Sequence, residues 1–319
     1  MRSTVRALLS QFIDYAGLFP PAKQPLDAAL DSYLHERRSS PHRWMLGRFI
    51  CPAARLPELL TLAQRHADRS LLQLTVLGQQ SSTADEFLPH VRADVEAIES
   101  FRQAWDQDAM IDVFEVALPK GATIAQLQAQ LPYLPDLLGN AGLCAFFEIP
   151  TAPSWRANVS ALTDTLHDLH HTQPHGSLGM KLRCGGLTAE AFPTDADVAY
   201  FLDRCGASHR PWKATAGLHH PRRHWDTSLN VWHHGFLNVF VAGLLGRTHV
   251  LNDSDLVSIL SDRDLLSLRC EDDCIAYRAW SCSATQIVDY RKLAASFGSC
   301  SFAEPCAELK AMGWLDAAP

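Results

Sequence analysis

The chain has 319 residues, 47% of them hydrophobic and 20% charged, which is enough apolar material for the core of one large α/β domain and excludes a disordered chain. Its 35 acidic and 28 basic residues give a net charge of −7 without a long run of either sign, so nothing resembles a nucleic-acid footprint and a small molecule is the expected partner. No stretch approaches the roughly 18 apolar residues of a membrane span, and the N-terminus lacks a signal-peptide pattern, so a cytoplasmic protein without a membrane partner is expected.

In chain order, short β-branched or aromatic runs alternate with helical stretches. "SQFIDYAG" (10–17) precedes the helix-like "LDAALDSYLHERR", "LGRFICP" (46–52) precedes "RLPELLTLAQRHA", and "LLQLTVLG" (71–78) precedes "LPHVRADVEAIESFRQAW". "MIDVFEVALP" (110–119) and "LCAFFEIP" (143–150) lead to "SALTDTLHDLHH"; "LGMKLRC" (178–184) leads to "TDADVAYFLDRCG", with start signals at Thr194 and Asp195 and a stop at Gly206. "PWKATAG" (211–217) and "SFGSCSF" (296–302) complete eight strands. Most are near-continuous apolar runs, as parallel strands covered on both faces require. Eight strand–helix units predict one α/β domain over 1–319, a (β/α)₈ TIM barrel, with an open doubly wound sheet as the structural alternative.

Residues 221–295 break the rhythm, because a βα connection needs only a few residues. They read as a helical and hairpin insertion between the seventh and eighth strands: an apolar helix in "HGFLNVFVAGLLGRTH", a short one in "SDLVSILSD", two strands around the acidic turn of "LLSLRCEDDCIAYRAW", and a returning helix in "SATQIVDYRKLAAS". The insertion is expected to form a lid or an oligomer contact, and its apolar helix makes a homodimer a reasonable expectation. His233 and His234 read as a cap on that helix. The nine cysteines are odd in number and scattered, as reduced thiols are, and Cys270 and Cys274 have no second pair to complete a zinc site.

Chemistry on a barrel gathers at the C-terminal ends of the strands. The polar residues there are Asp14, Asp112, Glu115, Glu148, Lys181, Arg183, Lys213, His219, His220 and Ser299. Lys181 and Arg183, two apart on one strand, share a face. A guanidinium beside an ammonium, with Lys213 on the next strand, disfavours protonation and predicts that Lys181 is a neutral amine near pH 7, as imine chemistry with a carbonyl substrate requires. Asp112 and Glu115, three apart, face opposite ways, so one of them enters the pocket. His219 or His220 is a candidate proton shuttle.

The ordered set "FIDYAGLFPPA", "FICPAARLPELLTLA", "MIDVFEVALP", "FFEIP", "MKLRCGG", "WKATAG" and "FGSCSFAEPCAEL" resembles deoxyribose-phosphate aldolase, a class I aldolase on a (β/α)₈ barrel. The resemblance implies a carbon–carbon lyase that needs no cofactor and no metal. Lys181 then falls on the imine-forming lysine, Lys213 on the second lysine that lowers its pKa, and Asp112 near the proton-relaying aspartate, with Glu115 as its competitor. Ser299 falls at the phosphate end and Asp14 on the aspartate of the opening motif. The chain departs from the family where Arg183 and Cys184 replace threonines and Leu218 replaces a glycine. Arg183 is instead suited to grip a carboxylate bidentately, pointing to a keto-acid or sugar-acid substrate bound with help from Asp14, Glu148, His219, His220 and Ser299. Two rivals follow from the same residues: a metal-dependent isomerase or lyase using Glu115, Glu148, His219 and His220, and a barrel that binds a ligand without turning it over.

Overall fold

A computed structural model describes residues 1–66, 69–105, 110–173 and 177–315. Eight parallel strands close into a barrel: β1 Ile13–Tyr15, β2 Leu46–Pro52, β3 Gln73–Leu77, β4 Met110–Ala117, β5 Cys144–Glu148, β6 Ser177–Arg183 and β7 Trp212–Thr215, with Ala294–Ser299 completing the ring between β7 and β1. The (β/α)₈ barrel expected from the strand count is the fold. Strand ends differ by a few residues: the first strand is only three residues long, because Gln11 adopts a positive φ of 48° and turns the chain just before it. The end of the second predicted helix, at 67, lies outside the described residues.

Helices α1 Ser3–Leu9, α2 Leu26–Ser39, α3 Leu56–Ala63, α4 Ala84–Ala104, α5 Ile124–Leu127, α6 Leu134–Asn140, α7 Trp155–Thr172 and α8 Asp195–Ala207 precede or connect the first seven strands. The predicted cap of α8 is present: Thr194 Oγ1 accepts a hydrogen bond from the Asp197 amide at 3.1 Å, and Asp197 reaches back to Thr194.

Between β7 and the last barrel strand, the hairpin β8 His224–Asp226 and β9 Val231–His233 comes first, followed by helices α9 Phe236–Thr248 and α10 Asp253–Ser261. The meander β10 Leu268–Cys270, β11 Cys274–Tyr277 and β12 Trp280–Ser283 follows, with α11 Ala284–Arg291 before the closing strand, now β13, and α12 Ala303–Ala311 after it. α9 is apolar on every side, and Phe236 through Leu245 are buried, as an all-round hydrophobic helix must be. Its Phe240 ring lies 4.5 Å from Phe12 and 4.7 Å from Trp212, and Phe236 stacks on Phe297 at 4.7 Å, so α9 packs against the barrel wall between β7 and β13. Only the β8–β9 hairpin reaches the mouth of the barrel, where Asp226 and His233 line the cavity. His233 therefore ends a strand and is not a helix cap. No helix among the described residues is long and apolar enough to cross a membrane, and all nine cysteines are free thiols.

Candidate active site

Parallel pairing places neighbouring strands in register: Glu148 of β5 lies beside Lys181 of β6, which lies beside Lys213 of β7. All three side chains point into the barrel, and both lysines are buried. A buried ammonium needs compensating charge, and each has two carboxylates. Lys181 Nζ is 2.8 Å from Glu115 Oε2 and 3.0 Å from Glu148 Oε2. Lys213 Nζ is 2.5 Å from Glu115 Oε1 and 2.6 Å from Asp14 Oδ2. Arg183 Nε bonds the other oxygen of Glu148 at 2.6 Å. The result is an alternating row, Arg183, Glu148, Lys181, Glu115, Lys213, Asp14, with three positive and three negative charges. Asp14 is held further by the Ser296 hydroxyl and the Arg48 amide, each at 2.8 Å.

Above this row lies a cavity of about 550 Å³. Its walls are largely apolar, among them Phe19, Ile50, Leu77 and Phe192, and its polar lining includes Glu115, Lys181, Arg183, Thr215, His219 and Cys300. Lys213 does not line it; the Lys213 side chain is sealed behind Lys181 with 1% exposure. The glycines after the two lysines have a packing reason. Gly217 sits at φ +68° with its Cα against Gly185, and a Cβ there would stand 2.9 Å from the Cys184 carbonyl, so the two turns that frame the cavity could not otherwise approach.

The electrostatics correct the neutral-amine expectation. Burial pushes the Lys181 ammonium down, but the charges of Glu115 and then Glu148, with their hydrogen bonds, outweigh it, and its pKa stands above that of a free lysine. Lys213 is raised the same way, burial being overcome by Asp14 and Glu115. Burial pushes the Glu115 carboxyl up, but the two ammoniums pull it down to about 2. Glu148 is likewise below the usual carboxylate range, with Lys181 and Arg183 outweighing its burial. The sequence places the three carboxylates at strand ends but does not show that they converge on the two lysines from β1, β4 and β5. At rest Lys181 is an ammonium, ion-paired at the floor of an open cavity.

No protein-family profile and no curated protein matches the chain. Among solved structures, a deoxyribose phosphate aldolase from Aeropyrum pernix, described as having a unique tetrameric structure, matches with a TM-score of 0.50 at 11% identity, covering 98% of this chain and 98% of that one. The chain resembles that aldolase in fold. At this identity the likeness shows the fold alone: a (β/α)₈ barrel along the whole chain.

The expected site residues divide into two groups. Lys181, Arg183, Glu115 and His219 line the cavity, and Glu148 lies directly behind Lys181 and Arg183. Asp112 does not join them. It lies towards the N-terminal end of β4, where Arg48 of β2 clasps it through Nε at 2.6 Å and Nη2 at 2.5 Å. Glu115, three residues further along, enters the lumen. Asp14 is fully buried against Lys213 and has no exposure to the cavity. Ser299 is turned away, its hydroxyl donating to the Ser301 carbonyl at 2.7 Å, because alternation along β13 gives the cavity to Gly298 and Cys300 instead. His220 bonds Glu308 on α12, away from Glu115 and Glu148, so the four residues of the metal-dependent rival are not gathered into one site.

The sequence reading missed His233 and Asp226, which approach within 3.2 Å of each other, and Cys300, whose sulfur lies 3.6 Å from His219 Nδ1. Burial holds the Cys300 thiol up and the His219 imidazole down, so the pair is a neutral thiol beside a neutral imidazole. Cys300 was legible in principle, since it stands two residues after Gly298 and immediately past the last strand. His233 and Asp226 carried no local signal, since only the folding back of the hairpin over the barrel brings them to its mouth.

Proposed function

We propose that this chain is an aldolase-like carbon–carbon lyase that forms an imine with a small carbonyl substrate through Lys181. The observation that carries the reading is the place of Lys181: its ammonium opens onto the cavity floor with a carboxylate at 2.8 Å on one side and 3.0 Å on the other, while the second lysine is sealed behind it. Glu115 can take a proton from Lys181 as the carbonyl arrives. The freed amine attacks the carbonyl carbon, water leaves, and the iminium accepts the electron pair of the breaking carbon–carbon bond as an enamine. The proton Glu115 took leaves with that water; Glu115 or Glu148 then takes the proton of the substrate hydroxyl whose carbon departs as the new carbonyl, returns it to the enamine carbon, and water releases the product. Lys213 shares Glu115 and keeps its charge balanced when Lys181 becomes neutral. Arg183, tied to Glu148 through one nitrogen, keeps donors for an anionic group on the substrate.

The raised pKa of Lys181 favours a second reading, in which the ammonium stays charged and polarises the carbonyl without bonding to it. One experiment separates them. The protein is incubated with a panel of small aldehydes, ketones and keto acids, reduced with borohydride and mapped by peptide mass spectrometry. The imine reading expects a permanent adduct on the peptide containing Lys181, absent in Lys181→Met. Turnover without any adduct favours the second reading. Turnover retained by Lys181→Met rules out both, and binding without turnover of any compound points to a ligand-binding barrel.

A further inference from the structure

A second cluster of ligating side chains lies beside the cavity and plays no part in the lysine row. His220, on the loop after β7, is the first member. Glu304 and Glu308, one turn apart on α12, present their carboxylates on one face towards it. One ligand atom from each of the three lies within 4.8 Å of the others, and Glu308 already accepts the Nδ1 proton of His220.

Two further imidazoles follow from the β8–β9 hairpin, His224 packed against His220 and His233 packed against His224. The His224 ring lies 4.0 Å from His220, centroid to centroid, and its Nδ1 is buried with no hydrogen-bond partner. His233, directly opposite His224 in the hairpin, is only 9% exposed; its Nε2 stands 3.2 Å from the Asp226 carboxylate, and its Nδ1 has no hydrogen-bond partner. Buried polar atoms are nearly always bonded, so the orphaned Nδ1 of His224, on a ring packed against the histidine of this cluster, calls for a ligand that a nitrogen lone pair can bind.

We propose that His220, Glu304 and Glu308, with His224 as fourth donor, form a divalent transition-metal site on the rim of the cavity. Two imidazoles and two carboxylates make a nitrogen and oxygen donor set suited to zinc, cobalt or manganese. The ion takes the place of the proton between His220 and Glu308. It ties together three segments that meet nowhere else in sequence, the loop after β7, the hairpin and α12. Because the neighbouring His219 lines the cavity, the ion braces the wall of its mouth. The site is independent of the reaction at Lys181.

Cobalt(II) is the probe. The full chain is stripped with chelator and titrated with CoCl₂, with calorimetry and visible absorption followed together. Saturable binding of one ion is expected, with d–d bands and no thiolate-to-cobalt charge-transfer band. The dissociation constant should rise at least tenfold in Glu304→Gln, an exposed position where the isostere leaves the fold intact, and also in His220→Ala and His224→Gln. The remaining cluster with metal-binding potential among the described residues, Glu271, Asp273 and Cys274, supplies the control, and Cys274→Ser should bind unchanged. Absence of saturable binding, binding indifferent to Glu304→Gln, or binding lost in Cys274→Ser with a thiolate band each overturns the proposal. If only His224→Gln binds normally, the fourth donor is assigned wrongly.

Discussion

Glu115→Gln removes one charge from the centre of the buried row and nearly nothing from its shape. In the wild type this carboxylate faces two ammoniums, at 2.8 Å and 2.5 Å, and is held at about 2 against 4.5 for a free glutamate. At 1.36 kcal/mol per pH unit that depression corresponds to about 3 kcal/mol, the same order as the cost of orphaning one member of a buried ion pair. The folded pKa is depressed, so this stability is complete above about 4.5 and is lost as pH falls towards 2. Urea unfolding of the two proteins from pH 7 downwards should therefore show a gap of about 3 kcal/mol at neutral pH that closes through the acid range. The same substitution takes a negative charge from beside Lys181, lowering its pKa, so the pH profile of borohydride trapping should move to lower pH. A gap below about 1 kcal/mol at pH 7, or a trapping profile that stays put or moves to higher pH, would refute the reasoning, since a residue bridging two ammoniums must do both.

Asp112→Asn should leave carbonyl trapping within twofold of wild type, because its partner is Arg48; the pair is partly solvated, so urea titration should register only about 1 kcal/mol or less. Arg183→Met should raise KM for anionic carbonyl compounds by about ten- to a hundredfold, as loss of a charged hydrogen bond does, with kcat and the KM of neutral compounds little changed in steady-state assays. Gly179→Ala tests the pairing that positions Lys181. A Cβ there would meet the Pro211 carbonyl at 2.5 Å and Phe146 at 2.9 Å, so thermal or chemical unfolding should show a loss of about 1–3 kcal/mol.

Much of the architecture was legible along the chain. A strand covered on both faces must be apolar throughout, and runs such as "LGMKLRC" and "LCAFFEIP" are apolar apart from the groups that function would need. Period-two alternation was enough to put Lys181 and Arg183 on one face and to say that only one of Asp112 and Glu115 enters the lumen. Which of the two enters was not legible, because β4 slips its register against β3 next to Asp112, between the pairs Leu74–Ile111 and Thr75–Val113. Ser299 was misplaced for a similar reason. A one-residue error of parity moves a side chain from the cavity to the outer face, and parity is set by how β13 meets its neighbours.

The sequence by itself determined the fold class and the candidate cations, because burial pattern and strand periodicity are properties of a segment and its own neighbours. Only the tertiary structure decided their charge. Asp14, Glu115 and Glu148 come from strands β1, β4 and β5, far from Lys181 and Lys213 in sequence, and they converge only when the barrel closes. Coulomb energy depends on distances through space, so carboxylates within 3 Å reversed a protonation state that the adjacent arginine and second lysine alone had pointed to.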